Sequence, residues 1–343
     1  MRVLLVGTGV QPIPPTGYGG VERTIAEFAE ALRRAGHEPT VINEVRRGRM
    51  RDEYPFARSV PSRVGSIPHD IVHASTPVVA RALAATRIPF VYTTHSRHWF
   101  ERRGVTQRWG YHLEKRAVRH ARTTIALTDR LASEIRRSVG PLPPDRLPVI
   151  PIGVDAERFQ PRWRERTGSR ALGVGIVASI KRWELAAAAL RDTQFRLRLA
   201  GPLTDPAYAE RVRASGQNVE LLGELTDAQL IEEFARADLL IHPSRVELLP
   251  GVVLQAFASA LPVLGAGPLG SVVEEGRTGF LAPSNATDEE IVRRLHQRAV
   301  ELQDDHVRRS LGEAARATAL SRFSWSDVVR RHVEVYASIL QGM

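Results

Sequence analysis

Cysteine is absent from this 343-residue chain. Disulfides, thiol nucleophiles and Cys-built metal centres are therefore excluded, whatever the redox compartment. Lysine is nearly absent as well: Lys115 and Lys181 are the two lysines among 48 basic residues. No apolar run is long enough to cross a bilayer, and the opening MRVLLVGTGV is too short and lacks the flanks of a secretory leader. Both absences lead to the expectation of a cytoplasmic protein. GTGVQPIPPTGYGG lacks the spacing of the dinucleotide fingerprint G-x-G-x-x-G, which argues against a redox cofactor. No D-x-D or His-rich cluster stands in a plausible site, so no metal is implied. No internal repeat or low-complexity segment stands out.

What is present is charge of one sign in one half. Residues 1–158 hold 25 Lys+Arg against 15 Asp+Glu, whereas the remainder holds 23 against 23, so the whole net charge of +10 lies in the first half. A one-sided basic surface favours an acidic partner such as anionic lipid, nucleic acid or a phosphorylated or acidic acceptor; it also serves as a solubilising surface.

The length suggests two domains, each able to bury its own core. Arg2 to Val6 reads as a strand that enters a glycine- and proline-rich loop. Val21, Ile25, Phe28 and Leu32 then fall at helical spacing, and Pro39 to Asn43 reads as the next strand. Strands are expected at 70–73, 90–94, 123–127 and 149–152. Four prolines between Pro141 and Pro148 and the polar run 155–168 mark a domain junction. The second half restarts the alternation: strands at 171–178, 195–200 and 219–222, with helices at 184–190, 205–215 and 227–236. Helices at 288–303, 304–319 and 326–340 close the chain. This pattern implies two doubly wound parallel sheets facing across a cleft.

Leu239 to Pro283 concentrates the chemistry. It reads as a strand, a loop from Pro243 to Pro250, a helix from Gly251 to Ala260, a second strand, and a glycine-rich turn into a short helix. Glu247 sits where the loop becomes the helix. Unpartnered N–H groups in a helix's first turn suit an anion such as a diphosphate, and loops at the carboxyl ends of parallel strands hold ligands in open sheets. His95 stands at the equivalent edge of the first half, just past a strand. Between Arg97 and Arg122, eight Lys+Arg interleave with Trp99, Phe100, Trp109 and Tyr111. The segment suits either an acceptor pocket on a solvated helix, the reading its mixed spacing favours, or an anionic membrane surface.

With Gly19-Gly20, His95, Lys181 and Glu247 in view, the whole chain resembles the retaining glycosyltransferases of family 4. The blocks occur in the family's order: YGGVERTIAEFAEALRRAGHEPTVIN, DIVHAS, PFVYTTHS, VIPIGVDAERF, SIKRWELAAAAL, FRLRLAGPL, NVELLGELTDAQLIEEFARADLLIHPS, SRVELLPGVVLQAFASALPVL and FSWSDVVRRHVEVYASIL. The resemblance implies the GT-B fold of two Rossmann-like domains. It divides the chain into an acceptor-side domain over 1–158, a nucleotide-sugar domain over 159–325, and a closing helix over 326–343 that packs back on the first domain.

Residue by residue, it implies that Gly19 and Gly20 pack under the donor diphosphate, that His95 faces the transferred sugar, and that Lys181 neutralises the leaving diphosphate. Leu225 would offer backbone groups to the base, and Glu247 would hydrogen-bond sugar hydroxyls. The turn of Leu249, Pro250, Gly251 and Val252 would cradle phosphate. Tyr18, His73, Arg97, Trp99, Arg102 and Arg103 are the acceptor-side candidates. The donor would be a nucleotide-diphosphate-sugar with no cofactor beyond it, the acceptor a hydroxyl of a small molecule, glycan or lipid-linked group, acidic or phosphorylated, and the protein cytoplasmic or peripheral at the inner face of an anionic membrane.

Three positions depart from the family's pattern: Gln255 replaces the second carboxylate of E-x7-E, which grips the ribose; Ile176 replaces an arginine five residues before Lys181; and the linker block reads Ile152-Gly153 where Asn-Gly is usual. Arg182 is the candidate substitute for the missing cation. These changes leave open a member that binds nucleotide or sugar without turning it over. A basic nucleic-acid-binding protein is the reading from another class, and it lacks a binding motif. A phosphorylase of the same fold lacks a lysine placed like a pyridoxal-phosphate anchor.

Overall fold

The computed structural model describes residues 1–17, 19–45, 48, 52–86, 88–100, 104–216 and 218–342. The chain divides into two compact units, one of 1–153 with 325–343 and one of 154–324.

The first unit alternates β1 (Arg2–Val6), α1 (Gly20–Arg34), β2 (Glu38–Ile42), α2 (Glu53–Ser66), β3 (Ile71–Ala74), α3 (Pro77–Leu83), β4 (Phe90–Thr93), α4 (Val105–His120), β5 (Thr123–Ile125) and α5 (Asp129–Val139). Its five strands are all parallel, in the order β2-β1-β3-β4-β5. β1, β3 and β4 are short apolar runs buried on both faces from Val3 onward, as covering helices demand. Helix α1 buries Ile25, Phe28, Ala29 and Leu32, one stripe at spacings of three and four.

The second unit runs β6 (Arg170–Val174), α6 (Trp183–Ala189), β7 (Arg196–Ala200), α7 (Pro206–Ala214), β8 (Val219–Gly223), α8 (Asp227–Arg236), β9 (Leu239–His242), α9 (Gly251–Ala258), β10 (Val263–Ala266), β11 (Gly279–Ala282), α10 (Asp288–Glu301) and α11 (Asp305–Arg322). The six strands are parallel in the order β11-β10-β9-β6-β7-β8. Capping boxes at Thr226/Gln229 and Thr287/Glu290 start α8 and α10 by satisfying first-turn N–H groups. The last helix, α12 (Trp325–Gln341), lies against α1 in the first unit, where Val328, Val329, Tyr336 and Ile339 join the core.

This is the doubly wound α/β architecture expected from the alternation, with local corrections. The strand expected at 149–152 shrinks to one bridge between Ala126 and Val149. The strand expected to run to Ala178 stops at Val174, because Gly175 takes φ +146 and leaves the sheet. The short helix expected after β10 is a turn followed by β11. Helix α2 had no assignment of its own: its prolines and Gly65 mask a stripe of Phe56, Ala57, Val60 and Val64 that is nonetheless buried.

Candidate functional site

Strand order reverses between β6 and β9 in the second unit: the chain leaves β6 toward β7 and β8, then returns to build β9, β10 and β11 on the other side. The loops after these two strands flank the crevice where open sheets bind ligands. The loop after β6 carries Lys181 and the loop after β9 carries Glu247. They are zipped together by the Arg245 N–H donating to the Ile180 carbonyl at 3.0 Å.

Lys181 Nζ lies 2.6 Å from Glu247 Oε1, with the two side chains 15% and 13% exposed. His242, the last residue of β9, is fully buried, and its Nε2–H donates to the same Oε1 at 2.9 Å. The paired oxygen is thus used twice, whereas Oε2 has no hydrogen-bond partner among the described residues and is not sealed from solvent. Burial pushes the Glu247 carboxyl up, but Lys181 and His242 outweigh it and hold the group well below the usual carboxylate range. Burial pulls His242 down, against the opposing pull of Glu247. A neutral imidazole protonated at Nε2 fits that contact, and its buried Nδ1 has no hydrogen-bond partner among the described residues.

Close backbone packing shapes the floor. Gly175 has φ +146, and a Cβ there would lie 3.2 Å from Lys181 Cε. Gly201, φ +148, abuts the Gly175 carbonyl so closely that any side chain would collide with backbone. Trp183, wholly buried, donates its Nε1–H to the Ile176 carbonyl at 2.9 Å and packs edge-on to His242. Beyond Glu247, α9 begins at half-exposed Gly251 and Val252 without a side-chain cap, so their N–H groups keep their anion-binding capacity.

Arg182 does not face this floor. It adopts a left-handed backbone (φ 54), is nearly buried, donates Nε–H to the Pro243 carbonyl at 2.7 Å, and holds NH1 3.6 Å from Asp288. Its guanidinium joins the two loops and reaches the start of α10 at Asp288. Leu249 and Pro250 are buried in the turn. Gln255 lies one turn into α9, with its Oε1 buried and unpartnered. Leu225 is half-exposed past the end of β8, after Gly223 at φ +70. His242 was not among the expected site residues; its position five residues before Glu247, at a strand's carboxyl end, was the available signal.

In the first unit, the carboxyl ends of the strands open on a cavity of about 410 Å³ including its mouth, lined by His73, His95, His332, Phe28, Trp325 and neighbours. Half-buried His95 has no hydrogen-bond partner among the described residues, and burial, then the neighbouring His332, lowers it to about 4. His73 is closed off: its Nδ1 meets Tyr336 OH at 2.5 Å and its Nε2 meets Thr93 Oγ1 at 2.7 Å. Trp99 is fully buried and donates to Thr94 Oγ1 at 3.0 Å, so no face of it is left for an acceptor sugar. A Cβ on Gly19 would come within 2.9 Å of the Pro15 Cβ, whereas Gly20 faces open space. Tyr18, Arg102 and Arg103 lie outside the described residues, as does the Arg97 side chain.

Comparison with known proteins decides the family. The family description Glycosyltransferase Family 4 matches residues 18–158, and Glycosyl transferases group 1 matches residues 175–298. An alpha-maltose-1-phosphate synthase of Mycolicibacterium smegmatis is 30% identical over 285 residues, 74% of this chain and 73% of the relative. The chain belongs to glycosyltransferase family 4. A GDP-mannose-dependent alpha-mannosyltransferase of Mycobacterium tuberculosis is 28% identical to this glycosyltransferase over 96% of the chain and 94% of the relative. Among solved structures, sucrose-phosphate synthase from Thermosynechococcus elongatus superposes with a TM-score of 0.85 at 18% identity, covering 100% of both chains. The Anabaena protein HepE, solved with UDP and glucose, gives 0.75 at 20% identity over 98% of this chain and 100% of its own. The family 4 chain therefore has the GT-B fold and is a hexosyltransferase-type enzyme.

Proposed function

We propose that this glycosyltransferase moves a hexosyl group from a nucleoside-diphosphate sugar to an acceptor hydroxyl with retention of configuration, using no metal and no cofactor beyond the donor. The observation that carries the reading is Glu247, whose Oε1 is gripped by Lys181 and His242 while Oε2 stays open beside the uncapped start of α9. As the bond between the anomeric carbon and the diphosphate oxygen breaks, negative charge gathers on the leaving group. The N–H groups of Gly251 and Val252 are fixed in place to meet it and Lys181 is close enough to be recruited, and such donors are commonly worth about 3–4 kcal/mol each. Glu247 Oε2 accepts from a sugar hydroxyl, with His242 as the positioning residue that fixes the carboxylate plane. Lys181 is a flexible point charge able to swing from Glu247 to a phosphate oxygen, which a fork-shaped guanidinium would not do as readily.

The remaining roles rest on family resemblance: Gly19 and Gly20 under the diphosphate, His95 toward the sugar, Leu225 toward the base and Gln255 toward the ribose. UDP in the neighbour HepE supports a nucleoside diphosphate as the donor's carrier. The test is incubation with UDP-, GDP-, ADP- and dTDP-sugars, with and without EDTA, reading released nucleotide and the product's anomeric configuration by NMR. EDTA-insensitive turnover with retention is expected. Inversion or a metal requirement would refute the mechanism, and binding without turnover would mark a member that has lost catalysis.

A further inference from the structure

The cavity at the carboxyl ends of the first unit's strands carries chemistry that the diphosphate-directed groups do not explain. Every residue that lines it belongs to the first unit, and none of the fifteen is Lys, Arg, Asp or Glu. The basic excess of residues 1–158 therefore stops short of it. Nine of the fifteen are apolar, with Leu5, Ile25, Phe28 and Ile150 buried and Ile152 half-buried. At about 410 Å³ with its mouth included, the cavity falls at the lower end of the roughly 300–1,000 Å³ of small-molecule sites.

The polar atoms left open in this cavity call for a donor without charge. His332, brought in by α12, spends its Nδ1–H on the Val328 carbonyl at 2.8 Å, and burial lowers the ring to about 4, so it is neutral near neutral pH. Its Nε2 is then a bare lone pair, unpartnered among the described residues and not sealed from solvent. The Ser75 hydroxyl is unpartnered and unsealed in the same sense. A carboxylate or phosphate, which only accepts, would set its lone pairs against Nε2 and give up water with no counter-charge in return. We propose that the cavity binds a small uncharged alcohol or phenol, its apolar body against the walls and its O–H donating to His332 Nε2. Ile152, standing where the family's pattern has asparagine, sets the preference for an apolar body. That the bound alcohol is the sugar acceptor rests on the function proposed above; the binding itself does not. An acceptor of this class departs from the acidic or phosphorylated one that the basic first half suggests.

The test is isothermal titration calorimetry of the whole protein with three probes of similar shape: para-cresol, para-methylanisole, which lacks the O–H, and para-cresyl phosphate, which adds charge. Para-cresol should bind, the anisole about tenfold more weakly, and the phosphate not measurably. Ile152→Asn should weaken para-cresol about tenfold with Tm unchanged. His332→Phe should bring para-cresol and the anisole to equal affinity. Because that ring is buried, Ile152→Asn decides the matter should His332→Phe fail to fold. Phosphate ester binding as tight as para-cresol, a para-cresol affinity indifferent to Ile152→Asn, or no para-cresol binding at millimolar concentration would each overturn the proposal. None of these titrations involves turnover, so the sugar-transfer reading can fail without affecting them.

Discussion

One carboxylate oxygen, Glu247 Oε1, serves both Lys181 and His242, and this sharing separates three kinds of substitution. Lys181→Ala or Glu247→Ala removes a charge that acts on the reacting group, and each should lower kcat by about 10²–10³ with the fold intact, read in donor-saturating assays beside circular dichroism. His242 acts one step back. His242→Gln can still present an N–H near the Nε2 position, whereas His242→Phe keeps the ring volume without the donor. We expect Gln to retain most of the activity and Phe to lose at least tenfold in kcat with little change in Tm, consistent with loss of a buried charge-assisted hydrogen bond worth about 1.5–3 kcal/mol. Equal losses in both variants would mean that His242 only fills space. Because the Glu247 carboxyl is held below its unfolded value near 4.5, it contributes stability above that pH, and the contribution is lost as pH falls toward the folded value. The Tm gap between the parent and Glu247→Gln should therefore be widest near neutrality and narrow below pH 4.5, as differential scanning calorimetry at stepped pH would show.

At the scale of elements, α12 shows where sequence reading reached and where it stopped. Its helical pattern was legible from the spacing of Val328, His332, Val335 and Ile339. That His332 would line a cavity with His73 and His95, and that Tyr336 would bond to His73 behind it, was not, because the contact joins residues 263 apart, His73 to Tyr336, and nothing local encodes it. His332 donates Nδ1–H to the Val328 carbonyl at 2.8 Å, and burial takes it down to about 4, as it does His95. The groups facing His332 are Phe28 of α1, His73 of β3, His95 past the end of β4 and its helix neighbour Tyr336, with Arg331 adjacent and none of them a carboxylate. The sign follows directly. The folded state holds fewer protons than the unfolded state between pH 6.5 and about 4, so unfolding takes up protons and stability falls as pH drops through that window. Proton uptake on unfolding at pH 5 should be measurable by calorimetry in buffers of different ionisation enthalpy. His332→Gln should reduce it by about one proton, and an unchanged uptake would show that His332 is not the linked group.

Across the whole molecule, what the sequence made legible is what repeats locally. Alternating short apolar strands and helices led to two parallel sheets, and Lys181 stood out because composition does not predict a lysine there. Glu247 stood out because it marks a loop-to-helix boundary. What escaped was set by three-dimensional neighbours: Arg182 turned inward to the Pro243 carbonyl, Trp99 buried under Thr94, and His242 hidden at a strand end that looked like any other. The groups proposed to meet the diphosphate all fall on 175–255. Hydrogen–deuterium exchange can test that placement in the whole protein. A nucleoside diphosphate should slow exchange at 175–182 and 243–255, where the N–H groups of Gly251 and Val252 gain a partner, and leave α4 unchanged. Protection confined to other segments would mean that the nucleotide does not seat at the start of α9, and the roles argued for Lys181 and Glu247 in this glycosyltransferase would fail.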